Sequence, residues 1–265
     1  MPSAPLSSKG QPIGERICVF GEQYTGKTRL VLEIAKWHQA RGSDAVFRIV
    51  DTDLSYERML LEGSPYSGLE NLDIIQAGDW GEALGGAMQH RDNIESADDW
   101  LVMDRYGILW DWVQDHFITE VLGTNAVHEY WEKARKKKDD ARLDGYKDWS
   151  YINKMWRELS MRTLHKAHCH VLVVCTEKPL MDGGSKFSES KLVYSQFGRM
   201  KGKPDGQKDI PNAFHTVIRL QDAGKEGYLM TAAKDREPRN KDDTQQQKVG
   251  NFWMPYLMGT AKWTA

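Results

Sequence analysis

The chain has 265 residues, 40% of them apolar, and a formal net charge of −2. It can bury the core of one large domain, or of a domain with insertions. The balanced charge excludes a globally basic nucleic-acid binder, so any such surface must be local. No apolar run reaches membrane length, and the start of the chain has neither a basic segment nor an apolar core of the kind that targets secretion. Cys18, Cys169 and Cys175 are odd in number, and two fall in apolar runs. They read as reduced core thiols, and the expectation is a soluble cytoplasmic protein without a membrane partner.

Residues 1–14, rich in Ser, Pro and Gly, read as a flexible arm. Arg16 to Phe20 is a β-branched run that predicts a first strand. It leads into Gly21-Glu22-Gln23-Tyr24-Thr25-Gly26-Lys27-Thr28, the spacing G-x-x-x-x-G-K-T, and then Arg29 and a helical pattern with Leu30, Val31, Ile34, Ala35 and Trp37 on one face. Ala45 to Val50 predicts a second strand, ending in Asp51-Thr52-Asp53, and Leu72 to Gln76 a third. Trp80 to about His90 reads as a helix. Trp100 to Met103 reads as a strand closed by Asp104. Gly107 to Leu122 and Lys147 to Ala167 read as helices flanking a charged connection, and His170 to Cys175 is a strong strand. The polar, Gly-punctuated stretch 179–212 reads as a long mobile loop or partial hairpin. Thr216 to Leu220 and Gly227 to Ala232 should pair as a hairpin. Residues 241–265 read as a polar linker and an aromatic tail. Strands alternating with helices predict an α/β fold, with a mainly parallel central sheet flanked by helices and a C-terminal antiparallel hairpin.

The chemistry concentrates at strand ends. Residues Gly21 to Arg29 form a loop whose glycines let successive backbone N–H groups turn toward phosphate oxygens, at the positive end of a helix. Lys27 can bind the β/γ-phosphates, and the Thr28 hydroxyl can ligate Mg²⁺. Asp104, after four apolar residues, suits a metal holder; the bland alternative is a carboxylate closing a strand into a turn. Asp53 is the candidate for orienting the attacking water. Asp51 could take that role or merely cap the following helix. Thr176 and Glu177 end the fifth strand, and one of them could contact the γ-phosphate or the attacking water, Glu177 being the candidate catalytic group; the alternative is a plain turn. His165-x-x-His168-Cys169-His170 invites a zinc reading, but no second ligand pair has matching spacing.

The phosphate loop, the Asp51-Thr52-Asp53 strand end and the Asp104 strand end, in this order, resemble the RecA-type ATPase core. The resemblance is closest to phage-encoded, single-domain RecA-like nucleotide-binding proteins and covers about residues 15–240. Arg105 after Asp104 departs from the AAA+ pattern, which has Glu there; Asp53 departs from the RecA pattern, which usually has Glu. The resemblance implies a RecA-like P-loop NTPase with ATP and Mg²⁺ as cofactors. It implies work on single-stranded DNA in recombination, annealing or replication, in the host cytoplasm, as a homo-oligomer and alongside phage single-strand-binding or replication proteins. It further implies that Lys234 and Arg236 reach a neighbour's γ-phosphate in trans, the alternative being a solvated charge cluster.

Two basic stretches could meet nucleic acid. Lys133 to Lys138 holds five cations in six residues, partly neutralised by Asp139, Asp140 and Asp144. The later loop carries Lys186, Lys191, Arg199, Lys201 and Lys203, interleaved with Phe187, Tyr194 and Phe197 as a stacking platform would require. Two rival functions stay open: a P-loop kinase acting on a small molecule, and a slowly hydrolysing, nucleotide-gated interaction module in phage replication or packaging.

Overall fold

The structure is a computed structural model that describes residues 14–121, 123, 132, 147–180, 197–198, 200–208, 210–224, 228–235 and 246–249. Its centre is a sheet ordered β3-β2-β4-β5-β1-β7-β8-β9. Here β1 is Arg16–Gly21, β2 Phe47–Asp51, β3 Leu72–Gln76, β4 Trp100–Met103, β5 His170–Pro179, β6 Gly202–Pro204, β7 Thr216–Asp222, β8 Tyr228–Asp235 and β9 Gln246–Val249. The run from β3 to β7 is parallel. β8 and β9 are antiparallel additions, and β6 pairs antiparallel with the far end of β5. The expected α/β class, parallel centre and terminal hairpin are all present. The hairpin extends one strand further than expected, because β9 pairs along β8 within a stretch that reads as polar linker. Backbone pairing needs no apolar sequence.

Parallel strands covered on both faces need apolar residues at nearly every position, which is why β4 reads WLVM and β5 begins HVLVVC. Alternation along β1 divides the core. Ile17 and Val19 face the layer of α1 (Lys27–Ala40) and α2 (Ser55–Met59), where Leu30, Val31, Ile34 and Tyr56 are buried. Cys18 and Phe20 face α3 (Trp80–Asp92), α4 (Leu109–His116) and α5 (Lys147–Arg157). Beyond its last turn α4 runs into a π-helix at Phe117–Val121, and α5 into another at Glu158–Leu164. α3 starts on a reciprocal cap: Asp79 accepts from Glu82 N–H at 2.8 Å, and Glu82 accepts from Gly78 N–H at 2.8 Å. No helix among the described residues is long and apolar enough to cross a membrane.

Phe197 departs from the expected role. It is fully buried and meets Phe20 edge-on at 5.8 Å, so it cannot serve as a stacking platform for bases. Its apolar ring is worth more under the sheet than in solvent. The histidine cluster also has a structural explanation. His170 stacks on Trp100 at 4.6 Å, Trp100 stacks on Phe47 at 5.6 Å, and the His170 Nδ1 accepts the Glu15 N–H at 3.0 Å. Among the described residues no group of three or more His, Cys, Asp or Glu is arranged to hold a metal. Arg16 is buried beside this rung and donates to the carbonyls of Cys169 at 2.6 Å and Ala167 at 2.5 Å. It thereby anchors the start of β1 to the approach to β5.

Burial holds these histidines neutral. It pushes the His170 pKa down to about 3, with His38 and Arg16 adding to the effect, and that of His38 down to about 4, with Arg41 adding. Both lie below the ordinary value of 6.5, so the unfolded chain takes up protons first as pH falls. The stabilisation is complete above about pH 6.5 and is lost as pH falls toward the folded-state values. Between pH 6.5 and 5 each histidine should cost about 2 kcal/mol. Thermal melts across this range should show a falling midpoint, with a shallower fall in His170→Gln. An equal slope in wild type and variant would remove His170 from the acid response.

Candidate nucleotide site

All the parallel strands end at one sheet edge, the usual place for a ligand crevice in an open α/β sheet. The register β1–β5–β4 sets the site. Gly21 lies opposite Thr176, and Met103, just before Asp104, lies opposite Val173. The end of β5 therefore stands between the phosphate loop and Asp104. A cleft of about 570 Å³ opens there, lined by Gln23, Tyr24 and Gly26 to Arg29 together with Asp53, Ser55, Met59, Asp104, Arg105 and Thr176.

The loop takes its shape from two local constraints. Gly21 lies against β7, where a Cβ would sit 2.2 Å from the Leu220 carbonyl oxygen, so no side chain fits. Gly26, the N-cap of α1, has φ 78°, the left-handed region that glycine tolerates. Thr25 Oγ1 donates to the Glu22 carbonyl at 2.9 Å and closes the turn. Lys27 Nζ donates to the carbonyls of Gly21 at 3.0 Å and Glu22 at 2.5 Å, so its ammonium lies along the loop. Burial lowers its pKa, while Asp104, Cys175 and Glu177 act in the opposite direction.

The centre of the cleft is one hydrogen bond: Thr28 Oγ1 donates to Asp104 Oδ2 at 2.9 Å. The other carboxylate oxygen of Asp104 accepts the Arg105 N–H at 2.8 Å. Thr52 Oγ1 donates to the Asp104 carbonyl at 3.0 Å, which ties the end of β2 to the end of β4. Asp104 is buried, and burial pushes its pKa up to about 6; the bond from Thr28 opposes the shift, and Asp53 and Asp51 reinforce it.

Asp51 and Asp53 both accept N–H groups at the start of α2, Asp53 from Ser55 at 3.2 Å. Asp51 is buried and its carboxylate accepts the N–H groups of Asp53 at 3.2 Å and Tyr56 at 3.4 Å, so it caps α2, the second of the two roles open to it. Asp53 borders the cleft, and its carboxylate lies 3.7 Å from Arg105 Nε. Glu177, the other candidate for a γ-phosphate or water contact, does not line the cleft. It is paired with Arg219 through two contacts, at 2.9 and 2.5 Å, with both side chains nearly buried. Thr176, its neighbour, faces the cleft instead. Arg219 and Arg105 carry no sequence signal for these contacts; only strand adjacency and the turn after β4 bring them there.

Because β8 runs antiparallel to β7, Lys234 lies opposite Val217, at the end of the sheet away from the phosphate loop, and its Nζ donates to the Pro211 carbonyl at 2.7 Å. Lys201 is exposed, and Lys203 lies in β6 opposite Lys178, both beside the far end of β5. Arg236, Lys186, Arg199, Phe187, Tyr194 and the 133–138 run lie outside the described residues. Tyr24 and Arg105 have left-handed φ values of 63° and 55° and both line the cleft, so backbone strain collects there. Tyr24 is 94% exposed.

No family model matches this chain, and no curated protein matches it.

The buried Asp104 carboxylate is a liability for folding. A carboxyl raised from 3.8 to about 6 contributes stability in its protonated form that is complete below pH 3.8 and is lost as pH rises through 6. At pH 7.5 the charge costs on the order of 3 kcal/mol, part of which Asp104→Asn recovers while keeping an acceptor for Thr28 or Arg105. In buffer free of nucleotide and divalent cation, urea denaturation should show Asp104→Asn more stable at pH 7.5 by roughly 1–3 kcal/mol and little changed near pH 4. A variant less stable at both pH values would make the carboxylate a structural support.

Proposed function

We propose that the chain is a RecA-like, Mg²⁺-dependent ATPase whose nucleotide lies in the cleft between the phosphate loop and Asp104. The observation that carries this reading is the Thr28–Asp104 hydrogen bond at the N-terminus of α1. A loop that only turned the chain into a helix would have no use for a buried carboxylate held against its last hydroxyl. Two hard oxygen donors in contact, completed by phosphate oxygens and water, suit Mg²⁺, which favours few protein ligands. Thr28 and Asp104 would hold the ion, Asp104 through a water. Mg²⁺ held there would supply positive charge against the charge that develops on the phosphates.

The chain's own groups supply the remainder. Backbone N–H groups of residues 22–28 and the positive end of α1 receive the phosphates. Lys27 exchanges its carbonyl partners for phosphate oxygens, a gain from neutral to charged acceptors. Asp53, on the same cleft, orients and deprotonates the attacking water, and Arg105 holds its carboxylate. Thr176 presents a hydroxyl between the two halves of the site. Engagement of single-stranded DNA, assembly into a homo-oligomer and a role in phage recombination, annealing or replication belong to the same proposal. Lys201 and Lys203 stand beside the end of β5, where strand-end chemistry and a bound strand could influence each other.

Lys27→Ala should weaken ATP binding by roughly 10- to 150-fold with the fold intact. Asp53→Asn should bind ATP normally yet turn over at least about 100-fold more slowly. Turnover should rise on adding single-stranded DNA. Isothermal titration and phosphate release measure these three quantities. Unchanged ATP affinity in folded Lys27→Ala would remove the phosphate-loop assignment. Wild-type turnover in Asp53→Asn would move the base elsewhere, and DNA-independent turnover would separate the enzyme from the strand.

A further inference from the structure

A second cavity, of about 290 Å³, lies on the α3–α4–α5 side of the sheet and shares no lining residue with the phosphate-loop cleft. Its floor is apolar: Tyr106 and Trp156 are buried, with ring centres 5.0 Å apart, and Ile210 is buried beside them. Its polar wall comes from α5 and the π-helix that continues it, through Asn153, Arg157 and Ser160, and from Gln207 and Asn212 across the opening. π-helical turns are rare and recur at functional sites, and this one widens the helix where it borders the cavity.

The chemistry of the lining is selective. No Asp or Glu is among the twelve lining residues, in a chain that carries 38 of them. Arg157 stands exposed at the rim and makes no ion pair with a described residue. A guanidinium in that setting matches a phosphate, to which it can donate two parallel bonds. Asn153 donates through its amide nitrogen to the Trp149 carbonyl at 2.7 Å and keeps its amide oxygen as an acceptor. The aromatic floor, its two rings tilted by 43°, can meet a ring of an occupant, and the volume lies just below that of small-ligand pockets, about 300–1,000 Å³.

We propose that this cavity is a second, separate binding site for a nucleoside monophosphate unit, with its phosphate at Arg157 and its base over Tyr106 and Trp156. A free mononucleotide and the 5′-phosphorylated end of a single strand present the same chemistry. Tyr106 follows Asp104 by two residues, so an occupant would rest behind the strand end that bears the cleft's carboxylate. The inference stands apart from the ATPase reading, because no residue is shared between the two sites.

The test titrates the full chain with AMP, and separately with a 5′-phosphorylated oligothymidylate. Both titrations include excess Mg²⁺ and a non-hydrolysable ATP analogue to occupy the phosphate loop. Calorimetry and tryptophan fluorescence should report saturable AMP binding with Kd between about 10 μM and 1 mM. Arg157→Gln should weaken it by about tenfold or more, and Ala213→Phe, which fills the cavity, should abolish it. Lys27→Ala should leave it unchanged. If Ala213→Phe fails to fold, the exposed Arg157→Gln carries the test alone. Tighter binding of the oligonucleotide than of AMP, with the same Arg157 dependence, would assign the site to strand ends. No saturable signal from either ligand at millimolar concentration would overturn the proposal. So would equal affinity in Arg157→Gln, or loss of binding in Lys27→Ala.

Discussion

The contact between Thr28 and Asp104 depends on the register of three strands. β1 ends in the phosphate loop, β4 ends in Asp104, and β5 lies between them. Neither residue could find the other from local structure, since they are 76 positions apart. A slip of one residue on either side of β5 would turn alternate side chains to the opposite face and separate the pair. Both faces of β1 are buried and apolar, so side-chain shape opposes that slip: Ile17 and Val19 fit under α1, and Cys18 and Phe20 under the other helices. The core is thus what aligns the chemistry.

Around this contact the protein accepts several local costs. Asp104 is a carboxylate without solvent, while Tyr24 and Arg105 hold backbone conformations unfavourable to side-chain-bearing residues. Such features cluster where a scaffold must hold a ligand rather than relax. The scaffold meets them with polar closure elsewhere: Asp51 caps α2, Thr52 bonds the Asp104 carbonyl, and Glu177 and Arg219 join β5 to β7 across the end of β1. The ends of β1, β2, β4, β5 and β7 are therefore held together by side chains as well as by the sheet.

The opposite end of the sheet is organised differently. There an aromatic stack of Phe47, Trp100 and His170 and the Arg16 contacts to the carbonyls before β5 fill the space between the strands. Lys234 emerges on this side because β8 reverses direction, and its bond to Pro211 helps fasten the terminal hairpin to the segment before β7.

Much of this was legible in the sequence. The spacing of Gly21, Gly26, Lys27 and Thr28 between a β-branched run and a helical pattern made the strand, loop and helix start legible, because these are local features. The apolar runs before Asp104 and Thr176 announced buried parallel strands, with carboxylates gathered at their ends. Tertiary structure decided which polar residues at that edge remain available. Asp51 and Asp53 look alike in sequence and both accept N–H groups at the start of α2, but Asp51 is buried in doing so while Asp53 also borders the cleft. Glu177 is a strand-end carboxylate like Asp104, yet its neighbour β7 supplies Arg219 and removes it from the cleft. Phe197 sits among lysines in sequence but under Phe20 in space. Local pattern determines which residue types stand at strand ends; long-range packing determines which partner each one meets.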